Sequence, residues 1–283
     1  MKPVPPVPAG PDLSDPYALL PADSDVILRV DVGALRESPL WSKYKSVVFE
    51  AIAPGSAACA DNPLDGLTLL TAGIPVTDKL GVFVIHGLDR DKFVRCMHAP
   101  SPPDSNDTAT FDGDFITFTN KSGHVNMMTF VDAHTAVAQG SEHPTKETLT
   151  QALTVGAPLK QDAGLATIEK ALAPHPALAI IFRPQSKAGE AMLAQKVGPA
   201  VRSMYATVHV TDHLELHVTF ELDSADNAAA VVAAMQPKLA QLRPFVDRVE
   251  ETADGATVHM NVAVTEDQLK LIVGQIKAAM GSN

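Results

Sequence analysis

Aromatic side chains are scarce in this chain, at 5% with a single tryptophan, so little is available for aromatic cages or base-stacking platforms. Basic residues are outnumbered. Lys and Arg total 22 against 33 Asp and Glu, a net charge of -11, and no basic stripe or run gathers them. Sequence-independent nucleic-acid binding depends on such clusters, so no nucleic-acid partner is expected. No apolar run approaches the roughly 18 residues of a membrane-spanning helix. The common catalytic signatures are missing too: there is no Gly-x-x-x-x-Gly-Lys, no Gly-x-Gly-x-x-Gly after a strand, no His-Glu-x-x-His and no Gly-x-Ser-x-Gly. Ser42-Lys43-Tyr44-Lys45 fits Ser-x-x-Lys, but the Lys-Thr-Gly and Ser-Asp-Asn partners of that motif do not occur. The lack of a convergent acid, base and nucleophile argues against catalysis without closing the question, and no cofactor is expected.

Cysteine is limited to Cys59 and Cys96, which fit neither a Cys-x-x-Cys redox pair nor a zinc knuckle. Two readings stand. Either both are buried free thiols, or they form one disulfide worth about 3–4 kcal/mol on the loop-entropy account, which implies an oxidising compartment. The start, Met1-Lys2-Pro3-Val4-Pro5-Pro6-Val7-Pro8-Ala9-Gly10-Pro11, lacks the apolar core of a signal peptide. It reads as a proline-rich extended tether, with a processed leader and a lipid anchor upstream as one option and a cytoplasmic protein with a loose start as the other.

What the chain does have is amphipathic pattern. At 283 residues, 46% hydrophobic and 19% charged, it is long enough for two folded domains with real cores. The clearest signal is residues 205–222. Ala206, Val208 and Val210, then Leu214, Leu216, Val218, Phe220 and Leu222, alternate with polar side chains. Strict period-2 alternation means two strands with one apolar and one polar face. Keeping the apolar sets together sets the register: Val210 opposes Leu214, Val208 opposes Leu216, and Thr211-Asp212-His213 is the loop.

In order, strands are expected at 26–32, 67–72, 81–87, 108–119 with a turn at Asp112-Gly113-Asp114, 124–138, 177–182 and 257–264. Helices are expected from Ser38-Pro39 to residue 51, from Asp89, at 145–153, 162–172 and 187–204, from Ser224 to Leu242, and after Thr265. The implied class is α+β: two tandem sandwiches, each an antiparallel sheet with helices on one face, whose similar element order suggests a topological repeat. Expected boundaries are a tether at 1–19, a first domain at 20–173 and a second at 174–283, divided at Pro174-His175-Pro176.

One constellation carries possible chemistry. His209, Glu215 and His217 share the polar face of the hairpin. His259 joins them if 257–264 pairs into the same sheet, because Val258 and Met260 then point inward. Imidazoles and a carboxylate so placed could hold zinc or another divalent ion; ordinary solvated sheet residues look the same. The acidic loop around Asp104, Asn106, Asp107, Asp112 and Asp114 departs from calcium-loop spacing at Thr108 and reads as solvated.

Residues 20–32, Leu-Pro-Ala-Asp-Ser-Asp-Val-Ile-Leu-Arg-Val-Asp-Val, followed by Leu35-Arg36-Glu37-Ser38-Pro39-Leu40-Trp41, resemble uncharacterised envelope proteins, often predicted lipoproteins, of myxobacteria and related bacteria. The resemblance covers mainly the first hundred residues, and its motifs are structural. It implies an exported, disulfide-bonded protein, periplasmic or attached to the outer membrane, and carries over no binding or catalytic residue. The expected role is a binding or scaffold protein presenting polar sheet faces to a protein or envelope component. A metal-dependent enzyme or metal-binding protein using His209, His217 and His259, and a small-molecule or lipid carrier, are the rivals.

Overall fold

The computed structural model describes residues 15–52, 59, 61–77, 81–98, 108–119, 123, 125–141, 144–154, 165, 169–170, 176–198 and 200–280. The first half supplies strands β1 (Val26–Asp31), β2 (Leu69–Ile74), β3 (Gly81–His86), β4 (Thr108–Asp112), β5 (Phe115–Thr119), β6 (Val125–Phe130) and β7 (Thr135–Ser141). Its helices are α1 (Val32–Glu37), α2 (Trp41–Ile52), α3 (Arg90–His98) and α4 (Lys146–Thr154). The second half supplies β8 (Leu178–Phe182), helix α5 (Lys187–Lys196), β9 (Val201–Val210), β10 (Leu214–Leu222), helix α6 (Ala225–Leu242), β11 (Arg248–Asp254), β12 (Thr257–Val264) and helix α7 (Glu266–Met280).

The class is α+β, and the strands of both halves form one antiparallel sheet of 12, ordered β11-β12-β10-β9-β8-β1-β2-β3-β7-β6-β5-β4. The two expected sheets are therefore joined. The seam is β1, which pairs with β2 on one side and β8 on the other, Ile27 lying opposite Gly73 and Ile181. Val26, Ile27, Leu28 and Val30 suit a central strand, because both of its faces meet apolar layers.

Strand parity sorts the core. On one face Ile27, Val82, Val84, Met127, Val137 and Ile181 pack beneath Tyr17, Leu19, Leu20, Leu149 of α4 and Leu165. On the other face Phe182, Ala206, Val218, Phe220, Leu222 and Val258 lie beneath Leu193 of α5 and Ala228 of α6. Further along that second face, Ile116, Met128 and Ala136 lie beneath Leu64, Leu88 and Phe93 of α3. Helices thus cover the second half on one side, as expected, but the first half on both, since α4 packs opposite α3. Tyr17, Ala18 and Leu19 are buried, which moves the start of the core into the stretch expected to be tether.

The other departures have local causes. The helix expected over 187–204 stops at Lys196, ahead of the breaker dipeptide Gly198-Pro199, and β9 begins at Val201. Residues 124–138 were expected as extended chain, and the described part is a hairpin, β6–β7. It turns where Asp132 Oδ1 accepts from the backbone N–H groups of His134 and Thr135, both at 2.7 Å. Helix α1 follows β1 directly because Asp31 caps it, its Oδ1 accepting from Ala34 N at 2.9 Å. Strand β11 had no counterpart in the sequence reading. The helix expected at 162–172 lies largely outside the described residues, as do residues 99–107 of the acidic loop.

Cys59 and Cys96 form a disulfide with Cα atoms 5.4 Å apart, so the second of the two cysteine readings holds. The bridge ties α3 to the chain that follows α2. No helix among the described residues is long and apolar enough to cross a membrane.

Candidate functional site

At the β8–β12 end of the sheet, α5 and α6 occupy one face and leave polar side chains on the other. The β9–β10 hairpin has the register dictated by its alternation: Val210 opposes Leu214, Val208 opposes Leu216, and His209 opposes Glu215. β12 pairs with β10, setting Asn261 opposite His217 and His259 opposite Thr219. β11 then adds Arg248 beside Ala263 and Glu250 beside Asn261. The polar face therefore has rows across the strands: His209, Glu215, Ala263, Arg248; then Thr207, His217, Asn261, Glu250; then Tyr205, Thr219, His259, Thr252; then Ser203, Glu221, Thr257, Asp254.

Glu215 is the hub of the first rows. Its Oε1 lies 3.2 Å from His213 Nε2 and 3.5 Å from Arg248 Nη2, and its Oε2 lies 3.9 Å from His217 Nε2. The other nitrogen of His213, Nδ1, lies 2.6 Å from Asp212 Oδ1. With a carboxylate at each ring nitrogen, the imidazolium is the form that satisfies both. Hydrogen bonding to Asp212 first, and then to Glu215, pushes the His213 pKa above its ordinary value. The His213 bond holds Glu215 below the usual carboxylate range, against some desolvation and with help from the charges of His213, His217 and Arg248.

His209 has the opposite environment. Its Nε2 is buried without a hydrogen-bond partner, and its ring meets that of His217 edge-on, centroids 5.6 Å apart. Burial first, and then His217, push its pKa below the histidine norm, with Glu215 pulling the other way. His217 Nδ1 donates to Asn261 Oδ1 at 2.7 Å, while His259 Nδ1 lies 3.1 Å from Thr219 Oγ1.

All four expected residues, His209, Glu215, His217 and His259, do share one face. The first three are gathered, and His259 stands a row away on its own partner. Among the described residues no three His, Cys, Asp or Glu side chains are placed to hold a metal ion. The reason is local: Arg248 already sits on Glu215, and Asn261 on His217. His213 and Arg248 were not picked out from sequence. His213 had a usable signal, since it lies two residues before Glu215 and shares its parity; Arg248 depended on the unrecognised β11. Of the acidic loop, Asp112 pairs with Lys146, and Asp114 with Arg90 at 2.9 Å.

A long antiparallel sheet with helices at both ends, and with this polar face left open, defines the class of architecture. No family model matches the chain, and no curated protein matches it either. The fold is shared with solved structures of TP0453. Crystal form III has a TM-score of 0.60 at 12% identity, covering 92% of this chain and 98% of that one. Forms I and IV give TM-scores of 0.58 and 0.57 at 11% and 10% identity, each covering 92% of this chain, and 97% and 96% of theirs. At such identities the likeness is one of fold alone.

Proposed function

We propose that this is a non-enzymatic, extracytoplasmic binding or scaffold protein that offers the polar face of β9–β12 to a protein or envelope component. One observation carries the reading. Four adjacent strands leave a polar face without helical cover among the described residues, and its side chains are linked to one another, not to a buried reaction centre. The Arg248 and Glu250 side chains are 51% and 60% exposed although they pair with each other, so charged groups at the rim are accessible to a partner. The Cys59–Cys96 bridge favours export, and the amino-terminal resemblance favours attachment to the envelope, with any anchor lying before the described chain.

The test is site-specific photocrosslinking in the source organism, with the photoreactive residue at Glu250 or, as a control, at Lys238 on the exposed side of α6. A discrete adduct from position 250 alone supports the reading. Equal labelling from both positions, or none from either, overturns it.

A further inference from the structure

The sheet has two outer strands, β11 and β4, and they differ in chemistry. Both belong to hairpins with two-residue turns, Gly255-Ala256 and Gly113-Asp114, so the antiparallel ladder dictates which backbone groups are left over. In β4, Thr108, Thr110 and Asp112 bond to β5, and the N–H and C=O groups of Ala109 and Phe111 are directed to the open edge. In β11 the open edge belongs to Val249, Glu251 and Ala253. Among the described residues no hydrogen bond reaches these edge groups. We infer that β4 is a self-pairing edge: two copies of the chain join there, antiparallel about a two-fold axis at Thr110, into one continuous sheet. The inference is independent of the polar-face reading, because β4 closes the far end of the sheet.

An exposed strand edge is a template for another strand unless charge, proline or a bulge blocks it. β11 is blocked by charge. Every two-fold register that pairs at least two of its edge residues sets carboxylates against each other: Glu251 against Glu251, Glu250 against Glu250, or Glu250 against Asp254. β4, Thr-Ala-Thr-Phe-Asp, has no such guard. Its one charged side chain, Asp112, is already paired with Lys146 of α4.

The side chains of β4 are also self-complementary, which favours a second copy over a foreign strand. With the axis at Thr110, Ala109 lies opposite Phe111 of the partner subunit, and the reverse, so both edge residues of each copy exchange their backbone bonds. Small then meets large on the face covered by α3, where His98 already holds the Phe111 ring in a stack with centroids 4.2 Å apart. On the other face Thr110 meets Thr110 of the partner subunit, a favourable cross-strand pair. Thr108 meets Asp112 of the partner subunit, a hydroxyl donor against a carboxylate. Thr108, Thr110 and Asp112 are exposed, so the strand is open to a neighbour among the described residues. A seam this short implies association in the micromolar range.

The experiment is sedimentation equilibrium of the whole chain in about 0.15 M salt, where a Debye length of about 8 Å screens the net charge of -11 on each copy. The mass should climb toward that of a dimer as concentration passes through about 1–100 μM. Thr110→Lys sets two ammonium groups against each other at the axis and should weaken association at least about tenfold. Thr110→Glu should do the same, and an equal mixture of the two variants should regain the dimer, which also shows that both are folded. Thr252→Lys on β11 should leave association unchanged. Register has its own readout. Across the axis the Thr110 Cα atoms form a non-hydrogen-bonded pair about 4.5 Å apart, within disulfide reach. Thr110→Cys should therefore give a covalent dimer on mild oxidation, and Thr252→Cys should not. A chain that stays monomeric, association that ignores Thr110→Lys or is lost in Thr252→Lys, a charge-variant mixture that stays monomeric, or no covalent dimer from Thr110→Cys would each overturn the inference. So would a monomer whose photoreactive residue at position 110 captures a different protein, which would assign the edge to a foreign strand.

Discussion

Asp25 is 1% exposed, and its carboxylate collects donors from two distant segments. Oδ2 accepts from Val76 N at 2.7 Å, and Oδ1 from Gln185 N at 2.6 Å and Ser186 N at 3.0 Å, with Ser186 Oγ 3.1–3.2 Å from both oxygens. Charge-assisted bonds of this kind are about twice as strong as neutral ones. Asp25→Ala should strand several buried N–H groups, each costing about 1–3 kcal/mol, and lower stability by at least about 3 kcal/mol in urea unfolding. Asp25→Asn should lose less. In the sequence Asp25 looked like one more turn residue in Leu20-Pro21-Ala22-Asp23-Ser24-Asp25. Its role depends on residues 51 and 160 positions away, a distance at which local pattern carries no trace. The two histidines of the candidate site make a second residue-scale case. Folding disfavours the proton on His209, so the unfolded chain takes up more protons as pH falls below about 6.5, and stability declines there. His213 runs the other way: its contribution is complete below about 6.5 and is lost as pH rises through its folded value. Melting temperatures at successive pH values should therefore fall less on acidification in His209→Gln than in wild type, and fall more in His213→Gln.

Among the elements, the β9–β10 hairpin was readable because its alternation is unbroken on both sides of a polar tip, and a one-residue slip would bury His217 and expose Leu216. β11 was not readable, since Glu251 takes an inward position that an alternation test expects to be apolar. The tip also reaches across the molecule: Ser38 Oγ donates to Thr211 O at 2.6 Å and accepts from Leu40 N at 3.1 Å. Ser38 was expected to cap a helix. It does bond to the chain entering α2, and it fastens that entry to the hairpin as well. A tighter constraint lies between the 3-10 turn Pro63–Gly66 and the turn after β3. Gly87 has φ +84°, and a Cβ there would run into the Gly66 carbonyl. Gly87→Ala thus meets both an unfavourable backbone region, worth about 1–3 kcal/mol, and a backbone clash. Thermal unfolding should show a loss above that range; a loss under about 1 kcal/mol would show that the two turns separate easily.

For the molecule as a whole, the α+β class was legible from periodicity, but the joining of the halves was not. Pairing of β1 with β8 links segments about 150 residues apart, and nothing in either strand names its partner. Tyr17-Ala18-Leu19-Leu20 was likewise too short to show a period, and its burial follows from the face of β1 that it covers. The disulfide acts at this scale, restraining the unfolded chain. Reduction should lower stability by about 3–4 kcal/mol, read as a shift in denaturation midpoint. Alkylation of the native, unreduced protein should add no mass; two alkyl groups taken up under oxidising conditions would remove the bridge and weaken the case for export.

The central position of β1 also has a consequence in time. The ribosome delivers β1 early, and its partner β8 only after about 150 further residues, at roughly 5–20 residues per second. For several seconds the newborn chain carries Val26-Ile27-Leu28-Arg29-Val30 with one hydrogen-bonding side open, the kind of edge that recruits stray strands. Its most hazardous moment is thus not at the finished sheet's outer strands but at what will become its middle, and any factor that escorts this protein during synthesis has its natural target there.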